Sequence, residues 1–441
     1  MAKQRSFKTY LVILVLCLVV GSGGVYLWYA EAELPVVTVQ PEQKRISAHT
    51  SMHIKVTDIP SGLRSLQVQA VQKGQSRLLM REEFEQPVQT WTDEFTLEDT
   101  DLVNGEIRLQ VTATDRSWRN WLQGNEVTQG FSYIYDSKPP RISLESFQHN
   151  VRQGGAGVVA FQVSEPVQRA GVRIKDYFFP AYSQSDGLFL CFFSFPFSLE
   201  PGQGQLLITA TDLAGNENHA GFHHYINDAQ YAQVKLPITE RFLQTTIVNF
   251  QDRFPNQKSL IDVFLLVNRK LRRQNRNQLL DFGRQTASHP LWSGRFLRQP
   301  GAARRAHFGT HRQYVYQGQV IDEQTHLGVD LASVARAEVP AANSGRVVFA
   351  DWLGIYGQVV IIDHGLGLQS LYAHLSQIQA SAGDEISKGQ IIGRTGNTGL
   401  AGGDHLHFAM VISGIPVNPV EWWDESWIKN NIISKLTLKP R

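Results

Sequence analysis

Residues 402–410 read GGDHLHFAM, and the fold of the chain turns on how this stretch is read. Two glycines and an aspartate make a turn, and the residues after it predict the start of a strand. In a strand, residues i and i+2 project to the same side about 6 to 7 Å apart, so His405 and His407 face one object from adjacent positions. A metal ion is one such object. A surface His-x-His pair with no role is the other reading, and the pair alone does not choose between them.

The surrounding sequence narrows the choice. The C-terminal third alternates short apolar runs with glycine-containing turns: GRVVFADW, GQVVIIDHG, LQSLYAHLSQ and GQIIGRTG, which predict a compact β-fold. Ahead of them stands THLGVDLAS, with His326 and Asp330 four residues apart. A catalytic zinc takes three protein ligands from His, Asp, Glu or Cys and keeps a fourth place for water. His326, Asp330 and one histidine of the pair would complete that set. Gly328 and Val329 interrupt the intervening turn and no glutamate follows His326, so the spacing suits a loop running into a strand and not the helical H-E-x-x-H arrangement. His374, in YAHLS, falls on another strand of the same sheet. Spare imidazoles beside a metal-held water are what a general base and an oxyanion stabiliser require.

Taken in order, H-x-x-x-D, Y-x-H-L-S, G-x-T-G and H-L-H-F resemble the lysostaphin-type zinc endopeptidases of the LytM family, over roughly Ala306 to Trp423. HFGTHRQY at 307–314, GDEISKGQIIGRTGNTG and PVNPVEW strengthen the match. The resemblance implies that His326, Asp330 and His407 are the zinc ligands. It also implies that His374 and His405 flank the water and the substrate carbonyl. His307, His311 and His364 read as structural, or as support for the ligands. Asp363 reads as a turn residue. Two departures stand out: Gly403 and Asp404 occupy the place of a Gly-Pro, and Ala409 that of an acidic residue. Neither removes a ligand. Asp404 is expected to hydrogen-bond a neighbouring imidazole, and the loop GNTGLAGGD to wall the cleft.

The rest of the chain supplies context. Its 441 residues exceed one hydrophobic core, and a net charge of +2 gives no general field toward nucleic acid. Lys3, Arg5 and Lys8 precede the uncharged run Tyr10 to Tyr29, YLVILVLCLVVGSGGVYLWY, which is long enough to span a bilayer and ends in aromatic residues. That predicts an uncleaved single-pass anchor in the inner, cytoplasmic membrane with the bulk in the periplasm or outside the cell. A signal peptide cut after Ala32 is the alternative. The two cysteines, Cys17 in the span and Cys191, allow no intrachain disulfide between them, and Cys191 reads as a small buried hydrophobe.

Between anchor and C-terminal domain, strand patterns recur. LQVTATDRSWRNW around Asp115 and LLITATDLAGNEN around Asp212 each run an apolar strand into Thr-Ala-Thr-Asp and a polar turn, 97 residues apart (212 minus 115). They resemble bacterial immunoglobulin-like modules, with Pro139 and Pro140 at the boundary. The modules read as spacers, or as a surface for envelope protein partners. From Pro237 to about Gly283 the periodicity turns helical, with Leu260, Val263, Leu266, Val267 and Leu271 on one stripe and a basic run from Arg269 to Arg276.

The expected fold is therefore mainly β. Residues 1–32 carry the anchor, 33–138 and 139–235 two Ig-like β-sandwich modules, and 236–300 a helical linker that could shield the cleft. Residues 301–441 form a LytM-type antiparallel peptidase domain. The expected cofactor is Zn²⁺, the expected substrate the stem or cross-link peptides of peptidoglycan, and the membrane a partner through the N-terminal helix. A non-catalytic scaffold or activator of another wall hydrolase is the competing reading.

Overall fold

A computed structural model describes residues 2–438, with side chains from Thr9 onward. The charges of Lys3, Arg5 and Lys8 lie outside the described side chains. Strands dominate the chain, and it divides into two compact units. One comprises the residues up to Pro139 together with Thr211–Glu217. The other comprises Pro140–Ala210 and the residues from Asn218 on.

The first unit opens with helix α1 (Ala2–Tyr29). Its stretch Thr9–Tyr29 has a mean hydropathy of 2.4 and is long and apolar enough to cross a membrane. After it come two sheets. One holds five strands in the order Arg45–Ile46, Glu126–Tyr135, Gly105–Asp115, Leu63–Gln72, Gln75–Val88. The other holds three, Val36–Gln40, Met52–Thr57 and Thr90–Phe95. The period-2 pattern decides which side chains meet: Met52, Ile54 and Val56 are buried from one sheet, Leu109, Val111 and Ala113 from the other, and the residues between them point outward.

In the second unit, Ala156–Val163 and Phe189–Ser194 pair within a four-stranded sheet. Cys191 lies there fully buried with a free thiol, as expected of a small hydrophobe. The apolar side chains of this sheet do not close on themselves. They continue into the core of the C-terminal domain, where Phe192 meets Trp422 at a ring separation of 5.9 Å.

The helical segment follows. Thr239 caps α2 (Glu240–Thr245) by accepting the Phe242 N–H, and Ser259 caps α3 (Leu260–Leu266) by accepting that of Asp262. A π-turn at Val267–Leu271 leads without a break into α4 (Arg272–Gly283). Val263, Val267 and Leu271 of the predicted stripe are buried and pack toward Tyr314, Ile355 and Tyr356. The basic run is not uniformly solvated, since Arg269 pairs with Asp322 at 2.9 Å.

The C-terminal domain is built on an eight-stranded sheet. Its central strands are β1 (Val329–Ala332), β2 (Gly345–Trp352), β3 (Gln358–Asp363), β4 (Leu368–Leu375) and β5 (Leu406–Ile412), in spatial order β1-β5-β4-β3-β2. All these pairings are antiparallel. Strands β4 and β5 are buried along their whole length, the polar side chains Gln369, Ser370, His374 and His407 included.

Candidate metal centre

Register brings the site together. On β1 and β5 Asp330 stands opposite His407, and on β4 and β5 Ala373 stands opposite His407, which places His374 one residue further along. His326 precedes β1, in the loop, and reaches back over it. The i, i+2 reading of the histidine pair holds, because His405 enters β5 through a bridge to Gly396 and points to the side on which His407 lies.

Three ligand atoms converge. His326 Nε2 and His407 Nδ1 each lie 2.9 Å from Asp330 Oδ1 and 3.1 Å from one another. The three side chains form a group that could hold a metal ion. The donor chemistry fits, since two imidazole nitrogens and one carboxylate oxygen suit zinc. The surroundings fix the ligands in the required form. His326 Nδ1 donates to the His307 carbonyl at 3.0 Å, which orients the ring and turns Nε2 toward the centre. Asp330 Oδ2 accepts from Arg312 at 2.9 Å, leaving Oδ1 for the centre.

The remaining two imidazoles stand beside the trio. The rings of His374 and His405 are 4.9 Å apart, and that of His374 is 5.8 Å from His407. Each donates from Nδ1 to a backbone carbonyl at 2.8 Å, His374 to Thr398 and His405 to Gly403, which leaves Nε2 of His374 available and turns Nε2 of His405 toward Asp330 Oδ1, 3.6 Å away. His374 has φ = 63°, a left-handed conformation uncommon for a residue with a Cβ and one that recurs at functional sites.

Burial and charge set distinct proton affinities. Burial pushes the Asp330 carboxyl up, but the charge of His326 and hydrogen bonds from His326, His405 and His407 outweigh it and hold the group well below the usual carboxylate range. Burial pulls His407 down to about 4 and, with the charges of His405 and His407, holds His374 well below the ordinary imidazole value. His405 goes the other way: burial pulls it down, and the hydrogen bond and charge of Asp330 raise it above the ordinary value. Two neighbouring imidazoles thus differ in basicity, which an acid–base pair needs.

These groups line a cavity of about 300 Å³. Its other wall comes from the helical segment and the strand before it, through Ile238, Phe242, Phe264 and Arg272, and from Leu400 to Gly402 of the glycine-rich loop. Arg312, Tyr356 and these apolar residues carry no pattern of their own in the sequence, although Arg312 lies inside HFGTHRQY. Asp404 corrects an expectation. It bonds no imidazole, because its carboxylate accepts from the Thr395 hydroxyl at 2.7 Å and the Arg336 N–H at 3.1 Å and is used up in holding the loop. His364 is a buried core residue, held by the Ser344 carbonyl and Ser370. Asp363 fixes a turn by accepting from Gly365, Thr286 and Ala287.

An antiparallel β-domain with this site defines a class that comparison with known proteins names: residues 324–419 match the model of peptidase family M23. The C-terminal part of the chain is a peptidase M23 domain of the lysostaphin/LytM type. Among relatives, DD-carboxypeptidase/endopeptidase Mpg of Neisseria meningitidis serogroup B is 41% identical over 95 residues, 22% of this chain and 22% of that one. Murein hydrolase activator EnvC of Escherichia coli K12 is 36% identical over 107 residues, 24% of this chain and 26% of that one. Peptidoglycan DD-endopeptidase ShyA of Vibrio cholerae is 38% identical over 96 residues, 22% of each. The chain spans about a quarter or less of the length of these curated relatives.

Proposed function

We propose that the protein is a zinc-dependent endopeptidase that hydrolyses peptide bonds in peptidoglycan stem or cross-link peptides during wall remodelling. It is held in the inner membrane by α1, with its bulk in the periplasm or outside the cell. The observation that carries this reading is the convergence of His326, Asp330 and His407 with two further imidazoles in one cavity. A zinc ion held there supplies the Lewis acidity that polarises a carbonyl and acidifies water. One of His374 and His405 takes the proton of the attacking water, and the other steadies the oxyanion. The names of Mpg and ShyA support peptidoglycan as the substrate. The Ig-like modules at 33–138 and 139–235 act as spacers or partner surfaces in this reading.

EnvC supports a second reading, in which the domain activates another wall hydrolase. The complete set of five polar side chains favours catalysis over that role. Digestion of purified sacculi by the detergent-solubilised full chain, followed by mass analysis of released fragments, separates the two. Fragments that vanish with a chelator and with His407→Ala are expected. Release of none by metal-loaded protein, with stimulation of an added hydrolase, would establish the activator instead.

A further inference from the structure

One cation in the cavity wall has no part in the metal centre. Of the residues that line the cavity, Arg272 and Arg312 carry a permanent positive charge, and Asp330 alone carries a carboxylate. Arg312 is spent on Asp330, at 2.9 Å. Among the described residues Arg272 has no carboxylate partner: Asp322, the acid its segment meets, is taken by Arg269 at 2.9 Å and by the Asn268 amide at 2.6 Å.

The π-turn before α4 sets this side chain in place. At its end the Arg272 N–H turns to the carbonyls of Val267 and Arg269, and not to that of Asn268 four residues back, as an α-helix requires. The side chain takes that acceptor instead. Its Nε donates to the Asn268 carbonyl at 3.1 Å and its Nη2 to Asn268 Oδ1 at 2.5 Å, and Asn268 is itself fully buried. Both acceptors are neutral, so they orient the guanidinium without cancelling its charge, and Nη1 keeps its donors for the cavity. One turn on, Arg276 adds a like charge: burial and then the charge of Arg272 lower it, with Tyr356 and Tyr177 opposing. Like charges at i and i+4 weaken a helix, so local preference does not explain the pair. The rest of this wall, Ile238, Phe242 and Phe264, is apolar and offers a guanidinium nothing. A fixed, uncancelled cation in such a wall is a receptor for an anion.

We propose that Arg272 binds a carboxylate of the substrate and so selects which peptides occupy the cleft. The inference rests on the reading of the cavity as a site of peptide hydrolysis, and it names the substrate class: peptides with a free carboxylate close to the scissile bond, on a side chain or at the chain end. The carboxylate accepts from the guanidinium, and the peptide lies between Arg272 on one wall and His326, Asp330 and His407 on the other. An amide in place of the carboxylate forfeits the charge-assisted bond and leaves the guanidinium desolvated and unpaired.

The test uses the detergent-solubilised full chain and synthetic stem peptides that are identical except for amidation of the side-chain carboxylates, of the C-terminal carboxylate, of both or of neither. With zinc-loaded wild type, KM is expected to be about tenfold or more lower for the acid than for the amide, and the amidation that raises it identifies which carboxylate is bound. Arg272→Gln is expected to erase the preference through KM and not kcat, and Arg272→Lys, which keeps the charge and loses the fork, to restore part of it. The same peptides titrated by calorimetry into chelator-stripped protein read the subsite without turnover. Acid preference there in the absence of any cleavage by loaded protein would sustain the role of Arg272 and count against hydrolysis. Equal affinity of the wild type for acid and amide peptides, a comparison that needs no variant, or a preference kept intact in folded Arg272→Gln, would overturn the proposal.

Discussion

The spacing of H-x-G-x-D has a steric reason. A Cβ on residue 328 would sit 2.6 Å from Cε1 and Nε2 of the His407 ring, so only glycine lets the chain between His326 and Asp330 pass beneath that imidazole. Gly328→Ala is expected to displace the ring and lower zinc affinity by about tenfold or more, read by elemental analysis and competition with a chromophoric chelator; full metal retention would refute the packing argument. His374 calls for a different substitution. Its φ of 63° favours asparagine among residues with a side chain, so His374→Asn is expected to fold and load metal like the wild type while its rate on sacculi falls about 100-fold. A fall in metal content equal to the fall in rate would make His374 a ligand or a structural residue. At this scale the sequence was informative, because ligand chemistry restricts which residue types can serve. Arg312 and Asp404 show the boundary: the first positions Asp330 and the second ties Thr395 to Arg336, and neither spacing reveals its partner.

Elements explain why the cleft has two walls. The apolar stripe Val263, Val267, Leu271 was readable as a helix face, and it is buried. Its partner was not readable, since packing on Tyr314 and Ile355 is long-range and leaves no period in the sequence. Nor was the π-turn at Val267–Leu271, where apolar periodicity continues through a change in hydrogen bonding. One side chain fastens this segment to the site. Asn275 of α4 accepts the Ile355 N–H at 2.9 Å, and Gly354 lies so close to the Asn275 amide that a Cβ there would collide with it. Ile355 and Tyr356 line the cavity beside His407, with 5.9 Å between the rings of Tyr356 and His407. Asn275→Ala leaves a buried N–H unpaired and is expected to lower stability by about 1 to 3 kcal/mol, measured by denaturant unfolding. A loss within error of zero would mean that α4 rests on apolar contact alone.

At the scale of the molecule, two strand-rich segments that look alike in sequence have different neighbours. The first closes its own core around Met52, Leu109 and Val111. The apolar side chains of Phe189–Ser194 instead run on into the M23 domain, where Trp422 is fully buried against Phe192, Trp292 and Phe296. Strand alternation could not foretell this, because a strand reports that it is buried and not what buries it. Next to Trp422 stands Glu421, whose carboxylate accepts the Ala156 N–H at 3.2 Å and lies against Gly155, across the same shared core. Burial pushes this carboxyl from its ordinary 4.5 up to about 7, against smaller opposing effects of the Ala156 N–H and Arg152. The sign of the consequence follows from proton counting. Between pH 4.5 and about 7 the folded protein holds a proton that the unfolded chain releases, so stability falls as pH rises through that window and levels off above it. The whole effect amounts to about 3 kcal/mol at most. Glu421→Gln keeps an acceptor for Ala156 and cannot ionise. Its unfolding midpoint is expected to match that of the wild type near pH 4.5 and to exceed it at pH 8. Because Phe192 and Trp422 share one core, both should move in a single transition, visible alike in tryptophan fluorescence and in far-ultraviolet circular dichroism. A wild-type midpoint at pH 8 equal to or above that of Glu421→Gln would show that Glu421 is ionised and satisfied in the folded protein, and would remove the carboxyl from any role in its pH response.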